Sequence, residues 1–185
     1  MRIALDPGHG GDNIGCLDGL ENELNLEVAL AAESIIHSMS CFDPVLTRDC
    51  DETVDWLERK AWTDEADLVI SIHHNATPNG DPTRGGLELY HWPDNYTTKA
   101  ICELSYQYAP FEIRTRTPMV IAPDAERYPG AYLVCGVYDQ PTILVECCYL
   151  TNRGNLAFTE SPRYLERMGL FIANMVLVAE GLPHE

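Results

Sequence analysis

Long apolar runs are missing from this 185-residue chain. None approaches the roughly 18–20 residues that a membrane-spanning helix needs, which argues against insertion into a bilayer. Basic residues are scarce as well: 12 Lys plus Arg stand against 29 Asp plus Glu, a formal net charge of −17. A surface of that sign repels phosphate backbones and anionic lipids, so nucleic-acid binding is excluded as a role. No C-x-x-C pair occurs, which removes the usual framework of a structural zinc finger. The N-terminal stretch "MRIALDPGHG" lacks the basic start, long apolar stretch and small-residue cleavage site of a secretion signal. Internal repeats, low-complexity tracts and Ser/Gly-rich linkers are also lacking. The expectation is one domain over residues 1–185, large enough to bury a sizeable core.

Cysteine, by contrast, is plentiful. Seven occur (Cys16, Cys41, Cys50, Cys102, Cys135, Cys147 and Cys148), but the count is odd and the spacing is not that of a small disulfide scaffold. Most read as small reduced core residues in a cytosolic setting, with one local disulfide left open. Cys147 and Cys148 are neighbours in an apolar run and should point to opposite faces of a strand.

Apolar patterning alternates between short strand-like runs and longer helical ones. "RIALD" (2–6), "DPVLTR" (43–48), "DLVISIH" (67–73), "GLELYHW" (86–92) and part of "QPTILVECCYL" (140–150) read as strands. "ENELNLEVALAAESIIHSM" places Leu24, Val28, Ala32, Ile35, Ile36 and Met39 on one helical face. Residues 51–66 read as a helix capped by Thr53 or Asp51; 96–109 and the stretch from Ser161 to Leu182 read as two more. Residues 110–130 carry no clear period. Strands alternating with helices predict an α/β fold: a mostly parallel or mixed twisted sheet of about six strands, covered by helices on both faces. Such folds bind ligands beyond the carboxyl ends of their strands.

Chemically capable residues collect at those ends. His9 follows the first strand in "ALDPGHGG", His73 and His74 close "LVISIHH", and Glu146 ends "TILVE". The loop "IGCLDGLENEL" brings Glu21 and Glu23 to the start of the first long helix. Two His and a carboxylate, with a further carboxylate nearby, match a catalytic zinc site: three protein ligands, an open position for water, and a Glu to move protons. Strand alternation turns His74 away from His73, which makes it a neighbour rather than a ligand. His37, in a helix, His91, at a later strand end, and His184, in the tail, have no such company. Asp6 either orients a ligand or closes the Asp-Pro turn.

In this order, "LDPGHGG", the Glu before "NLEVA", "VLTR", "ADLVISIHHNA", "GGLELY" and "ILVECCYLTN" resemble the zinc-dependent N-acetylmuramoyl-L-alanine amidases of the third amidase type, found in bacterial autolysins and phage endolysins. The resemblance runs from about residue 2 to 181. It implies zinc as cofactor, with His9, Glu21 (selected over Glu23 by its spacing to Asn25) and His73 as ligands and Glu146 as the catalytic acid and base. It further implies peptidoglycan as substrate, cut at the amide between N-acetylmuramic acid and L-alanine, by a chain expected to be a monomer. An endolysin of this kind would stay in the cytoplasm until its release to the wall. The alternatives are a zinc peptidase acting within the stem peptide and an inactive wall-binding relative. Two departures stand out: Cys147 and Cys148 beside Glu146, where the family usually has Gly-Phe in this motif, and an atypical segment around Arg114, Arg116 and Arg127. Those arginines read as surface residues ahead of carboxylate ligands.

Overall fold

The computed structural model describes residues 1–182, so His184 lies outside the described residues. The two apolar runs read as buried strands, β1 (Arg2–Pro7) and β3 (Leu68–Asn75), lie side by side and parallel at the middle of one six-stranded sheet. β2 (Asp43–Leu46) flanks β1, and β6 (Thr142–Tyr149) flanks β3, both in parallel. β4 (Glu88–His91) adds antiparallel to β6, and the short β5 (Val120–Ile121) adds parallel to β4, in the order β2-β1-β3-β6-β4-β5. Near-continuous apolar strands such as "LVISI" suit a sheet buried on both faces.

Helices cover each face. On one side α1 (Leu20–Ser38), α3 (Tyr96–Ser105) and α6 (Tyr164–Glu180) bury a core of Ile3, Leu5, Ile70, Ile72 and Val145 against Val28, Ile36 and Phe171. On the other, α2 (Trp56–Thr63) packs by β1 and α4 (Pro129–Val137) by β6 and β4. A short helix, α5 (Arg153–Thr159), links β6 to α6. α1 and α6 approach closely because Gly169 carries no side chain: a Cβ there would lie 2.9 Å from Ile35 Cδ1 and 3.1 Å from the Ala31 backbone.

The α/β architecture and strand count agree with the sequence expectation. Helices α4 and α5 were not expected: α4 is only 9 residues and α5 only 7, too short for a helical period to stand out. The helix expected over 51–66 starts instead at Trp56, capped by Asp55, whose side chain accepts from the Glu58 amide. Asp51 and Thr53 are engaged elsewhere, accepting from the backbone amides of Gly11 and Asp12 in the His9 loop. All seven cysteines are free, and Cys147 and Cys148 are both buried.

The α1–α6 contact sets a stability test. Gly169→Val forces a branched side chain against the Ala31 backbone, and urea denaturation is expected to show a loss of about 1–3 kcal/mol. An unchanged midpoint would mean that the two helices separate freely.

Candidate metal centre

β1 ends at Pro7, Gly8 follows, and the chain then turns sharply at His9. A Cβ on Gly8 would lie 2.1 Å from the His73 imidazole, so only glycine lets β1 and that ring come together. His9 itself has φ 64, the left-handed region, a strain of about 1–3 kcal/mol that neighbouring contacts must hold. Two contacts do so. Arg59 Nη2 donates to the His9 carbonyl oxygen at 2.5 Å, and Gly10 and Asn13 pair their backbones beyond it.

Arg59 is fixed in turn by Asp6, through a buried ion pair at 2.6 Å. Thr47, Ser71 and Tyr138 also donate to the Asp6 carboxylate, at 2.7, 2.8 and 3.0 Å. Burial alone would raise the Asp6 pKa, but the Arg59 charge and the hydrogen bonds outweigh it and hold the group below its ordinary value. Asp6 therefore touches no histidine; it acts on the His9 loop through Arg59.

Glu21, buried in the first turn of α1, sits between the two imidazoles. Its Oε1 lies 3.0 Å from His9 Nε2 and 3.2 Å from His73 Nδ1, and its Oε2 accepts from the Cys16 amide at 2.8 Å. Burial opposes ionisation of Glu21, yet the hydrogen bonds from His73 and His9 override it and drive its pKa far down. For His9, burial disfavours the charged ring, while the bond and charge of Glu21, with help from Asn13, raise the pKa overall. His9 Nδ1 lies 2.9 Å from Asn13 Oδ1, a partner that would keep the proton on Nδ1 when a metal takes the place of the Nε2–Glu21 hydrogen bond.

Such a donor set fits zinc. The ligand atoms of His9, Glu21 and His73 all lie within 4.8 Å of one another. Tetrahedral bonds of about 2.0–2.1 Å place ligand atoms roughly 3.3–3.4 Å apart, close to the Glu21–histidine separations already present. Two imidazoles and one carboxylate also match the catalytic rather than the structural class of zinc site.

Glu146 completes the group. It lies on β6 opposite His73 in register, lines the same cleft of about 580 Å³, and its Oε2 is buried without a hydrogen-bond partner. Burial is the main reason its pKa is raised well above the ordinary value, and the charges of Glu21 and Glu88 add to it.

The other candidates sit elsewhere. Glu23 is exposed on α1. His74 turns to the opposite face, where Nδ1 meets Asn25 Oδ1 at 2.7 Å and Nε2 meets the Tyr164 hydroxyl; burial lowers its pKa to about 3, so it stays neutral. His91 is buried with Nδ1 against the Trp92 carbonyl, and His37 is exposed near the end of α1. Arg114, Arg116 and Arg127 are exposed and line none of the cleft; Arg114 donates to the Gln107 carbonyl and Arg127 stacks over Tyr128. A second cluster, Asp49, Cys50 and Glu52, is fully exposed.

Sequence reasoning missed Arg59, Asn13 and Glu88, and it missed the apolar cleft wall of Trp56, Leu133 and Val134. Glu88 carried a readable signal, a carboxylate inside the short apolar run "GLELY". Arg59 carried none, because a charged residue on a short polar helix reads as solvated.

Comparison with known proteins agrees with this arrangement. The sequence profile of the N-acetylmuramoyl-L-alanine amidase family matches residues 3–177. The germination-specific N-acetylmuramoyl-L-alanine amidase of Bacillus subtilis is 30% identical over 193 residues, covering 95% of this chain and 78% of its own length. The N-acetylmuramoyl-L-alanine amidase LytC of the same organism is 29% identical over 172 residues, covering 89% of this chain; the chain spans only 32% of that relative. Among solved structures, N-acetylmuramoyl-L-alanine amidase AmiC2 of Nostoc punctiforme superposes with a TM-score of 0.78 at 27% identity, covering 96% of this chain and 95% of its own.

The buried ion pair makes a pH prediction. Asp6 has a lowered pKa in the folded state, so its stabilisation is complete above the unfolded value of about 3.9 and is lost as pH falls through the folded value. Asp6→Asn is expected to cost about 3–5 kcal/mol at neutral pH, because it leaves Arg59 buried and unpaired. Its deficit against the wild type should shrink below about pH 4, as the wild-type carboxylate takes up its proton. Parallel urea titrations from pH 7 to 3 check this; a constant deficit would remove Asp6 as the acid-sensitive group.

Proposed function

This chain belongs to the N-acetylmuramoyl-L-alanine amidase family, and from that membership we propose that it is a zinc-dependent peptidoglycan amidase. In this reading residues 1–185 form one catalytic domain that hydrolyses the amide between N-acetylmuramic acid and L-alanine. The observation that carries the reading is the meeting, in one cleft, of the His9, Glu21 and His73 ligand atoms with an unpartnered oxygen of Glu146.

His9 Nε2, a carboxylate oxygen of Glu21 and His73 Nδ1 would hold the metal. Zinc, when bound, supplies a Lewis acid beside the scissile carbonyl and lowers the pKa of water towards about 7. Asn13 orients the His9 ring, and the Cys16 amide holds the second oxygen of Glu21, so both ligands arrive already aimed. Glu146 takes a proton from the attacking water at its free oxygen. It then delivers that proton to the departing nitrogen of L-alanine, so that one water is added across the bond. Burial suits Glu146 to both halves of the cycle, since it strengthens the hold of the carboxylate on a proton that it takes from water. The apolar wall of Trp56, Leu133 and Val134 lowers the local dielectric around these charges.

The test pairs metal content with product identity. Wild type and Glu146→Gln should each bind close to one zinc, while the variant loses about 10²–10⁴-fold in turnover on purified peptidoglycan. New amino termini from the wild type should be L-alanine alone. Termini on other stem residues would make the enzyme a peptidase, and full activity in Glu146→Gln would remove Glu146 from its role.

A further inference from the structure

Glu88 is a fully buried carboxylate that the mechanism above does not use. It stands directly across the antiparallel β4–β6 pair from Glu146, an arrangement that like charges disfavour. Four donors nevertheless converge on its two oxygens. Oε1 accepts from Arg84 Nη2 at 3.0 Å and from the Tyr149 hydroxyl at 2.8 Å. Oε2 accepts from the Tyr90 hydroxyl at 2.7 Å and from Asn75 Nδ2 at 3.1 Å. Arg84 also lies over the Tyr149 ring, 5.0 Å from its centroid, so the cation is held in place twice.

Of these four donors only Asn75 lines the cleft, beside His73 and Glu146. An ionised carboxylate accepts and cannot donate, so Glu88 dictates that Asn75 turn its NH₂ inward. The Asn75 side-chain oxygen receives no hydrogen bond from the described residues and is not among the buried unpartnered atoms. It is an acceptor of fixed orientation, open to whatever occupies the cleft. A glutamine at position 88 would fit the same space but would not enforce that orientation, because its amide can present either end to Asn75.

We propose that the Asn75 side-chain oxygen binds the first amide N–H of the stem peptide beyond L-alanine, and that Glu88 is the positioning residue that fixes this acceptor. The inference rests on the amidase reading, which sets the polarity of the substrate. Glu146 must reach the departing nitrogen, so the peptide side of the cleaved bond lies towards Glu146 and the neighbouring Asn75. The donor nearest the reacting nitrogen on that side is the next amide of the peptide.

A cycle of variants and substrates tests it on a soluble muramoyl peptide. Asn75→Ala should lower kcat/KM about tenfold, with bound zinc and melting temperature near wild type. Glu88→Gln should lose about three- to tenfold. The double variant should fall no further than Asn75→Ala, because Glu88 acts through Asn75. A substrate N-methylated at the amide after L-alanine should lose about tenfold against wild type and nothing more against Asn75→Ala; this arm stands even if Glu88→Gln does not fold. Losses that multiply in the double variant would make Glu88 merely structural, and equal turnover of the methylated substrate by the wild type would remove the Asn75 contact. A wild type that releases no L-alanine termini overturns the amidase reading itself, and with it the premise of this one.

Discussion

The buried pair of Asp6 and Arg59 ties the cleft to the fold. Asp6 sits near the carboxyl end of β1 and receives hydrogen bonds from Thr47 after β2, Ser71 on β3 and Tyr138 after α4. Arg59 comes from α2 and passes the constraint onward, donating to the carbonyls of Pro7 and His9. Strands, helices and loop thus converge on one ion pair, and the left-handed turn at His9 persists because that pair holds its carbonyl. Without it the loop would relax, and one of the three convergent ligand atoms would leave.

Three carboxylates then lie close together around the cleft, each compensated in a different way. Glu21 is bonded to two imidazoles, Glu88 to an arginine and three neutral donors, and Glu146 Oε2 to nothing among the described residues. That gradient separates their roles in physical terms. The first is an anion ready for a metal, the second an anion that organises its neighbours, and the third a group whose burial favours holding a proton. A net charge of −17 adds no attraction for an anionic polymer, so in the proposed function recognition would rest on neutral contacts in the cleft, such as the Asn75 oxygen.

Much of this was legible in the residues. β1 and β3 announced themselves as apolar runs, and the α/β rule placed His9, His73 and Glu146 together at the strand ends. Period-2 alternation separated His73 from His74, and the structure shows His74 neutral on the far face. The start of α2 was misplaced for a physical reason: Asp51 and Thr53 look like helix caps but serve the His9 loop 40 and 41 residues away. The glycines flanking His9 likewise make sense only beside their partners, since what excludes a side chain at Gly8 is the ring of His73.

By itself the sequence determined five of the six strands, the short β5 excepted, the opposite facing of His73 and His74, and which groups able to bind a metal stand at the sheet edge. Those follow from period and polarity, which are local properties of the chain. Only the tertiary structure decided that Asp6 works through Arg59 and that Glu88 aims Asn75. Each of those depends on donors and acceptors contributed by elements far apart in the chain. A buried charge has its identity set by the partners that surround it, and no window of sequence contains them all.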